Sequence, residues 1–256
     1  MLTNEQTTAY ERDGYVIDRG FFNAEEMEVL RAYAQNDPAL QNAMHIRADK
    51  DGGIAKLSLW NEAGDDLYGV VSRTAKLVDA AEQLVGEEIY HWHHKMSMKE
   101  PYTGGAWEWH QDYGYWYKNY CLYPNLVSCF IAVDKCTRAN GCMQVITGSH
   151  KMGRVEHGRF GDQTGADPER VEAALKVLPL DYAVMEPGDV LFFHSNTLHR
   201  SDQNTSPDRR WSLICCYNAR SNSPYAASTH PSYTKLERLP NSELVEAGRR
   251  MLAERA

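Results

Sequence analysis

The chain has 256 residues, enough for one large domain with a full core, and its 43% apolar and 24% charged fractions are those of an ordinary globular protein. A formal net charge of -8 argues against general attraction to nucleic-acid phosphate, and no apolar run approaches the length of a membrane span, so neither partner is expected. The N-terminal Met1-Leu2-Thr3-Asn4 lacks the basic and apolar regions of a secretory signal, and none of the six cysteines forms a Cys-x-x-Cys pair, so buried free thiols in a cytoplasmic protein are expected.

The first 35 residues read as helical with a break. Thr3 caps a first helix with Gln6 in the capping-box position, Asp13-Gly14 ends it, and residues 15–17 form a short strand. Asn23 caps a second helix. Its Glu25 and Glu26 suit the positive end of the helix dipole, and Met27, Leu30, Tyr33 and Ala34 give it an apolar stripe. Residues 49–53 are a charged loop, and 67–85 read as a helix stopped by Gly86.

From residue 88 the pattern changes to strands, predicted over 89–99, 126–133, 143–146, 183–185, 189–193 and 210–217. Turn signals such as Thr103-Gly104-Gly105, Ala139-Asn140-Gly141 and Glu186-Pro187-Gly188-Asp189 separate them. Residues 153–170 form a polar, Gly-rich insertion with a short helix over 168–175, and 242–254 read as an amphipathic helix. Helices first and many short strands after predict a mainly β fold with flanking helices, a sandwich or barrel spanning residues 1–256 as one domain.

The chemistry concentrates in Trp109-His110-Gln111-Asp112. On a strand, residues two apart share a face, so His110 and Asp112 converge on one ion. A remote histidine would complete a set of two imidazoles and one carboxylate, which leaves open positions on an octahedral metal, as non-haem Fe(II) oxygenases require. Both His194 and His199 follow the 189–193 strand. The setting of His199, in Leu198-His199-Arg200-Ser201 with Arg210 downstream, favours it, and His194 reads as a packed or supporting residue. Arg210 and Ser212 share a strand face and suit the distal carboxylate of a 2-oxo-diacid; Arg209, next door, turns the other way.

These blocks stand in an order that resembles the phytanoyl-CoA dioxygenase family of Fe(II)/2-oxoglutarate oxygenases. The resemblance runs from Tyr10-Glu11-Arg12-Asp13-Gly14-Tyr15-Val16 through Trp109-His110-Gln111-Asp112 and Asn140-Gly141-Cys142-Met143 to Gly148-Ser149-His150, then from Pro187-Gly188-Asp189 through His199 to Arg210. It implies a double-stranded β-helix, the cupin-like jelly roll, with iron at its mouth. It implies His110, Asp112 and His199 as iron ligands, Arg210 as the 2-oxoglutarate anchor with Ser201 close by, and a polar cosubstrate contact at Lys95. The implied reaction consumes O2 and 2-oxoglutarate, releases succinate and CO2, and hydroxylates an unactivated C–H of a small organic substrate. Asp112 stands where related halogenases carry a small residue, which favours hydroxylation. Thr147 replaces the family's proline in a turn.

Two other classes stay open on residues alone: a zinc or manganese enzyme without redox chemistry, and a non-catalytic binding module on the same fold. The primary substrate and the oligomeric state are not legible. The aromatic run Trp109, Tyr113, Tyr115, Trp116, Tyr117, Tyr120 and Tyr123 reads as packing over the barrel mouth, with Trp109, Tyr113, Tyr115 and Trp116 as the candidate substrate wall. Such faces suit a small substrate with a cationic or amphipathic portion. His91, His93 and His94 look like a cluster, but strand alternation splits them between two faces.

Overall fold

The computed structural model describes residues 1–42, 44–49, 52–160 and 162–255; Lys50 and Asp51 of the predicted 49–53 loop, and Gly161 of the insertion, lie outside them. The chain opens with α1 (Asn4–Asp13), β1 (Tyr15–Asp18), α2 (Ala24–Gln35), α3 (Pro38–Asn42), β2 (Met44–Ala48), β3 (Ile54–Trp60), α4 (Leu67–Arg73) and α5 (Ala75–Val85). It continues through β4 (Ile89–Lys99), β5 (Trp107–His110), α6 (Asp112–Trp116), β6 (Leu126–Ala132), β7 (Met143–Ile146), β8 (His157–Phe160) and β9 (Gln163–Ala166). It ends with α7 (Pro168–Val177), β10 (Leu180–Ala183), β11 (Val190–His194), β12 (His199–Ser201), β13 (Arg210–Ala219) and α8 (Glu243–Arg255).

Among the described residues the strands form a seven-stranded sheet, in the order β1-β11-β6-β13-β4-β3-β2, facing a four-stranded sheet, β10-β7-β12-β5. A β8-β9 hairpin stands apart. This is the expected jelly roll with flanking helices. Every pairing within these sheets is antiparallel, so each strand presents alternate residues to two different layers. Met96, Met98, Ile131, Phe192 and Leu213 pack outward in one core with the helical residues Met27, Leu30, Val71 and Leu77. Phe130, Val145, Phe193, Ile214 and Cys216 pack inward between the sheets. A third, smaller core lies under α7, where Val171 and Ala174 meet Ile146 and Leu198.

The N-terminal caps form as read. Thr3 accepts from Gln6 and Asn23 from Glu26, each with the reciprocal bond of a capping box, and Gly14 ends α1 in the left-handed conformation (φ 84°). The predicted 67–85 helix is instead two. Thr74 adopts extended backbone (ψ 133°), its hydroxyl bonds back to Val71 O, and the next amide, Ala75 N–H, donates to Leu239 O. A β-branched residue whose hydroxyl donates to a local carbonyl, with an outside backbone partner in Leu239, ends one helix and begins another.

Three further departures concern pattern strength. β2 and β3 were not expected: their burial alternates only weakly at the sheet edge. The 183–185 strand lies earlier, at β10, because its register is set by β7. The insertion carries the β8-β9 hairpin besides its predicted helix. Six free cysteines are all buried, and none is bridged.

The turn ahead of β11 shows how the sheet end is fixed. Gly188 has φ 93°, and a Cβ there would meet Phe22 O at 2.2 Å, so glycine is required on both counts. Asp189 then accepts from Gly20 N, Glu186 N and Arg19 Nη1, tying the N-terminal segment to the jelly roll.

Candidate metal centre and cavity

His110 closes β5 and His199 opens β12, and the two are directly opposed in that antiparallel pair. Their ring centroids are 4.1 Å apart. Each Nδ1 faces a main-chain carbonyl two residues back, at 2.7 Å for His110 (Glu108 O) and 2.9 Å for His199 (Thr197 O). A carbonyl only accepts, so both Nδ1 atoms carry the proton and both Nε2 atoms keep their lone pairs. Burial lowers both imidazole pKa values, and the proximity of the two rings lowers His110 further, so the neutral, ligating form is favoured.

Asp112 supplies the third donor. Its Oδ1 lies 3.9 Å from His110 Nε2 and 4.0 Å from His199 Nε2. One donor atom from each of the three residues falls within 4.8 Å of the others. The expectation that Asp112 reaches the site as the second inward residue of a strand is corrected: β5 ends at His110 and Asp112 is the first residue of α6. The chain turns at Gln111, so convergence comes from a strand-to-helix corner rather than from strand alternation.

That corner is held by residues the motif left unread. The Gln111 side chain donates to Gly153 O and Asn196 O and accepts from Val155 N, at 2.7–2.8 Å. Its main-chain N–H donates to His157 Nε2 at 3.0 Å, and His157 Nδ1 donates to Val155 O. Gly114 leaves room for that imidazole, since a Cβ there would lie 2.1 Å from His157 Cε1. On the other side, Ser128 Oγ donates to Asp112 Oδ2 at 2.6 Å. Burial pushes the Asp112 carboxyl upward, but Lys95, His199, His110 and Ser128 outweigh it and hold it below the usual range. Lys95 Nζ stands 3.8 Å from Oδ1. Burial alone would lower the lysine; Asp112 and Cys216 keep it protonated.

The triad opens into a cavity of about 510 Å³. Arg210, at the start of β13 and only 2% exposed, forms one end. Its Nη1 donates to Ser212 Oγ at 2.9 Å, its Cζ lies 5.6 Å from the Phe130 ring centre, and its Nε has no partner. Burial lowers its pKa, yet a guanidinium stays charged. A buried guanidinium with an unused donor, facing a cavity that also holds two imidazole lone pairs and a carboxylate, is built for an anion beside a metal.

Ser201, Ser212 and Lys95 sit close to this arrangement: Ser201 and Lys95 line the cavity, and Ser212 holds the arginine. Arg209 points away as expected, onto Asp134 at 3.0 Å. Lys99, paired with Arg210 across the two strands, is a second buried cation that sequence reading missed. It donates to the main-chain oxygens of Gly105 and Asp202, so it braces backbone.

Of the four candidate wall residues, Tyr115 and Trp116 line the cavity. The Tyr115 hydroxyl donates to Thr164 O, and its ring meets His110 edge-on at 5.6 Å. Tyr113 and Trp109 do not line it. Tyr113 is packed in the inner core with its hydroxyl on Leu122 O, and Trp109, one residue from inward-facing His110, lies on the opposite face under Arg200. Tyr117, Tyr120 and Tyr123 are solvent-exposed. His194 stays outside, with Nδ1 accepting from Asn196 N, and burial takes its pKa down to about 4.

Comparison with known proteins agrees with this geometry. The sequence profile of the phytanoyl-CoA dioxygenase family matches residues 10–212. An L-proline trans-4-hydroxylase of Streptomyces griseoviridis is 34% identical over 62% of this chain and 66% of its own length. An ectoine dioxygenase of Bordetella parapertussis is 24% identical over 96% of this chain and 88% of its own. In fold, the crystal structure of EctD from S. alaskensis with 2-oxoglutarate and 5-hydroxyectoine superposes with a TM-score of 0.78 at 23% identity, covering 94% of this chain and 89% of that one.

Proposed function

The chain belongs to the phytanoyl-CoA dioxygenase family and is an Fe(II)- and 2-oxoglutarate-dependent dioxygenase, a hydroxylase using O2; on that footing we propose that His110, Asp112 and His199 hold the ferrous ion and that Arg210 holds the cosubstrate. The observation that carries this reading is the shared space: two imidazole Nε2 lone pairs and one carboxylate oxygen converge within 4.8 Å, in the cavity that Arg210 closes. When bound, iron and 2-oxoglutarate supply the oxidising power, with succinate and CO2 as co-products.

The protein's own residues do the rest. Main-chain carbonyls fix both imidazoles in the ligating tautomer, so little reorganisation accompanies metal binding. Ser128 holds one Asp112 oxygen and leaves the other for the ion. Arg210, itself oriented by Ser212, pairs with the distal carboxylate of 2-oxoglutarate, with Ser201 beside it. Lys95, next to Asp112, faces the same space and serves the cosubstrate's metal-proximal end. Tyr115, Trp116, Phe130, Phe193 and Ile214 give the remaining wall an apolar lining that excludes water.

A small-molecule substrate is consistent with the cavity volume and with relatives named for ectoine and L-proline. Among the described residues no helix is long and apolar enough to cross a membrane. We place the enzyme in the cytoplasm because its buried thiols are all unbridged. The packing of the N-terminal helices on the outer core supports a single domain over residues 1–256.

The test is binding, measured separately for each ligand. The wild-type protein should take up one Fe(II) and then 2-oxoglutarate, and His199→Ala should take up neither; iron bound equally well by that variant would remove the assignment.

A further inference from the structure

His93 is an inward-facing imidazole with nothing to bind. It is 3% exposed, it lines the cavity, and neither Nδ1 nor Nε2 has a hydrogen-bond partner. A buried imidazole without a partner is rare enough to require a reason. Its placement has a visible cause. β4 and β13 pair in register down to His93 and Cys216, then slip, so that Tyr217 pairs with His91 and Trp92 is the extra residue of a bulge. A bulge turns two consecutive residues toward one side. Trp92 packs inward and His93 lines the cavity, while His91 and His94 bond to each other (Nε2 to Nδ1, 3.0 Å), and His94 stacks on Trp60. The three-histidine cluster is thus divided by a bulge, and only His93 is delivered to the cavity.

A second imidazole meets it there. His230, on the segment between β13 and α8, lies against Trp92 at 4.6 Å, tilted by 31°, and stands 5.4 Å from His93, edge-on. Trp116 also meets His93 edge-on, at 5.6 Å. Lys95 is the next inward residue along β4. This pocket lies at the opposite end from Arg210. Arg210 pairs with Lys99, four residues from Lys95 in one direction, and His93 is two residues away in the other, about 7 Å at ~3.3 Å per residue. The metal triad faces the middle, at Lys95.

From this geometry, and resting on the iron and 2-oxoglutarate reading above, we infer that His93 and His230 form a recognition site for the anionic oxyacid group of the primary substrate. An imidazole N–H donates to an acid oxygen without needing a net charge. Of the cationic residues in the cavity wall, Lys95 is the one beside His93; Arg47, one residue past the level of the Lys56–Met98 pair, and Arg200, which pairs with Asp202, belong to the Arg210 end. Of the four aromatics behind the cationic reading, Trp109 and Tyr113 do not line the cavity. The two-residue spacing of Lys95 and His93 along β4 suits a compact acid.

The test uses the anaerobic Fe(II)·2-oxoglutarate protein and calorimetric titration with two probe acids and their uncharged-acid counterparts: L-proline against L-prolinamide, and methylphosphonate against dimethyl methylphosphonate. At least one acid is expected to bind ten-fold or more tightly than its counterpart, and which one it is separates carboxylate from phosphonate recognition. His93→Gln, His93→Phe and His230→Ala should each weaken that acid ten-fold or more. His230→Ala lies on an irregular segment and stays informative if a His93 variant fails to fold. The visible band of Fe(II)·2-oxoglutarate is the internal control: its absence in wild type would sink the metal reading. With the band present, equal binding of acid and counterpart, no binding of either acid, or three variants indistinguishable from wild type would each overturn the His93–His230 site.

Discussion

Lys95 Nζ stands 3.8 Å from Asp112 Oδ1, so a fixed cation faces the carboxylate that also faces two imidazole lone pairs. Before metal binds, this lysine neutralises the carboxylate. Once a divalent ion takes the same oxygen, the two cations repel. Lys95→Met is therefore expected to tighten Fe(II) binding in the absence of cosubstrate, by several-fold given screened charges at this distance (roughly 1–4 kcal/mol before compensation), and to raise the 2-oxoglutarate requirement. Weaker metal binding in that variant would mean that the lysine helps to assemble the site.

Arg210 gives the second prediction. Removing a buried, charge-assisted contact typically costs about 1.5–3 kcal/mol, so Arg210→Ala should raise the 2-oxoglutarate Kd by roughly 10- to 100-fold. Fe(II) affinity should change little. Arg210→Lys should recover only part, because an ammonium cannot form two parallel bonds to a carboxylate. Titration of 2-oxoglutarate at fixed Fe(II) measures both, and an unaltered Kd would identify a different anchor.

Gln111 gives the third. Its amide satisfies two carbonyls and one N–H on the segments around Gly153, Val155 and Asn196, the last two buried and Gly153 partly so. Gln111→Leu should lower stability by about 2–4 kcal/mol, since three hydrogen bonds go and their buried partners are left unpaired. Denaturant unfolding reads this directly, and a loss under 1 kcal/mol would show that the corner holds itself.

Gly114 makes a related claim with a different readout. A methyl group there collides with the His157 imidazole, which is itself hydrogen-bonded to Gln111 N. Gly114→Ala should lower Tm and weaken Fe(II) binding together, because the strain is passed to the residue between two ligands. A stable variant with full iron affinity would show that His157 yields freely.

Much of this site was legible because its chemistry is local in sequence. His110, Asp112, His199 and Arg210 announced themselves by residue type and order, and the capping boxes at Thr3 and Asn23 needed only four-residue windows. What stayed hidden depends on tertiary context. The Thr74 break is enforced by pairing with Leu239, far away in the chain. The weak strands β2 and β3 exist because β4 templates β3, which in turn pairs with the edge strand β2. Asp112 was placed on a strand because periodicity cannot see a corner held by the Gln111 side chain. Alternation rightly splits the His91–His94 group between two faces, but a bulge is decided by the partner strand, and only the β13 register shows that His93 is the one that lines the cavity.

The most direct test of the central claim is anaerobic absorption spectroscopy of the purified protein titrated first with Fe(II) and then with 2-oxoglutarate. A weak visible charge-transfer band should grow to one equivalent in wild type, be absent in His199→Ala, and require roughly ten-fold or more extra 2-oxoglutarate in Arg210→Ala. A wild-type protein that binds Fe(II) yet gives no band at saturating 2-oxoglutarate, or a His199→Ala variant that gives the full band, would contradict the account.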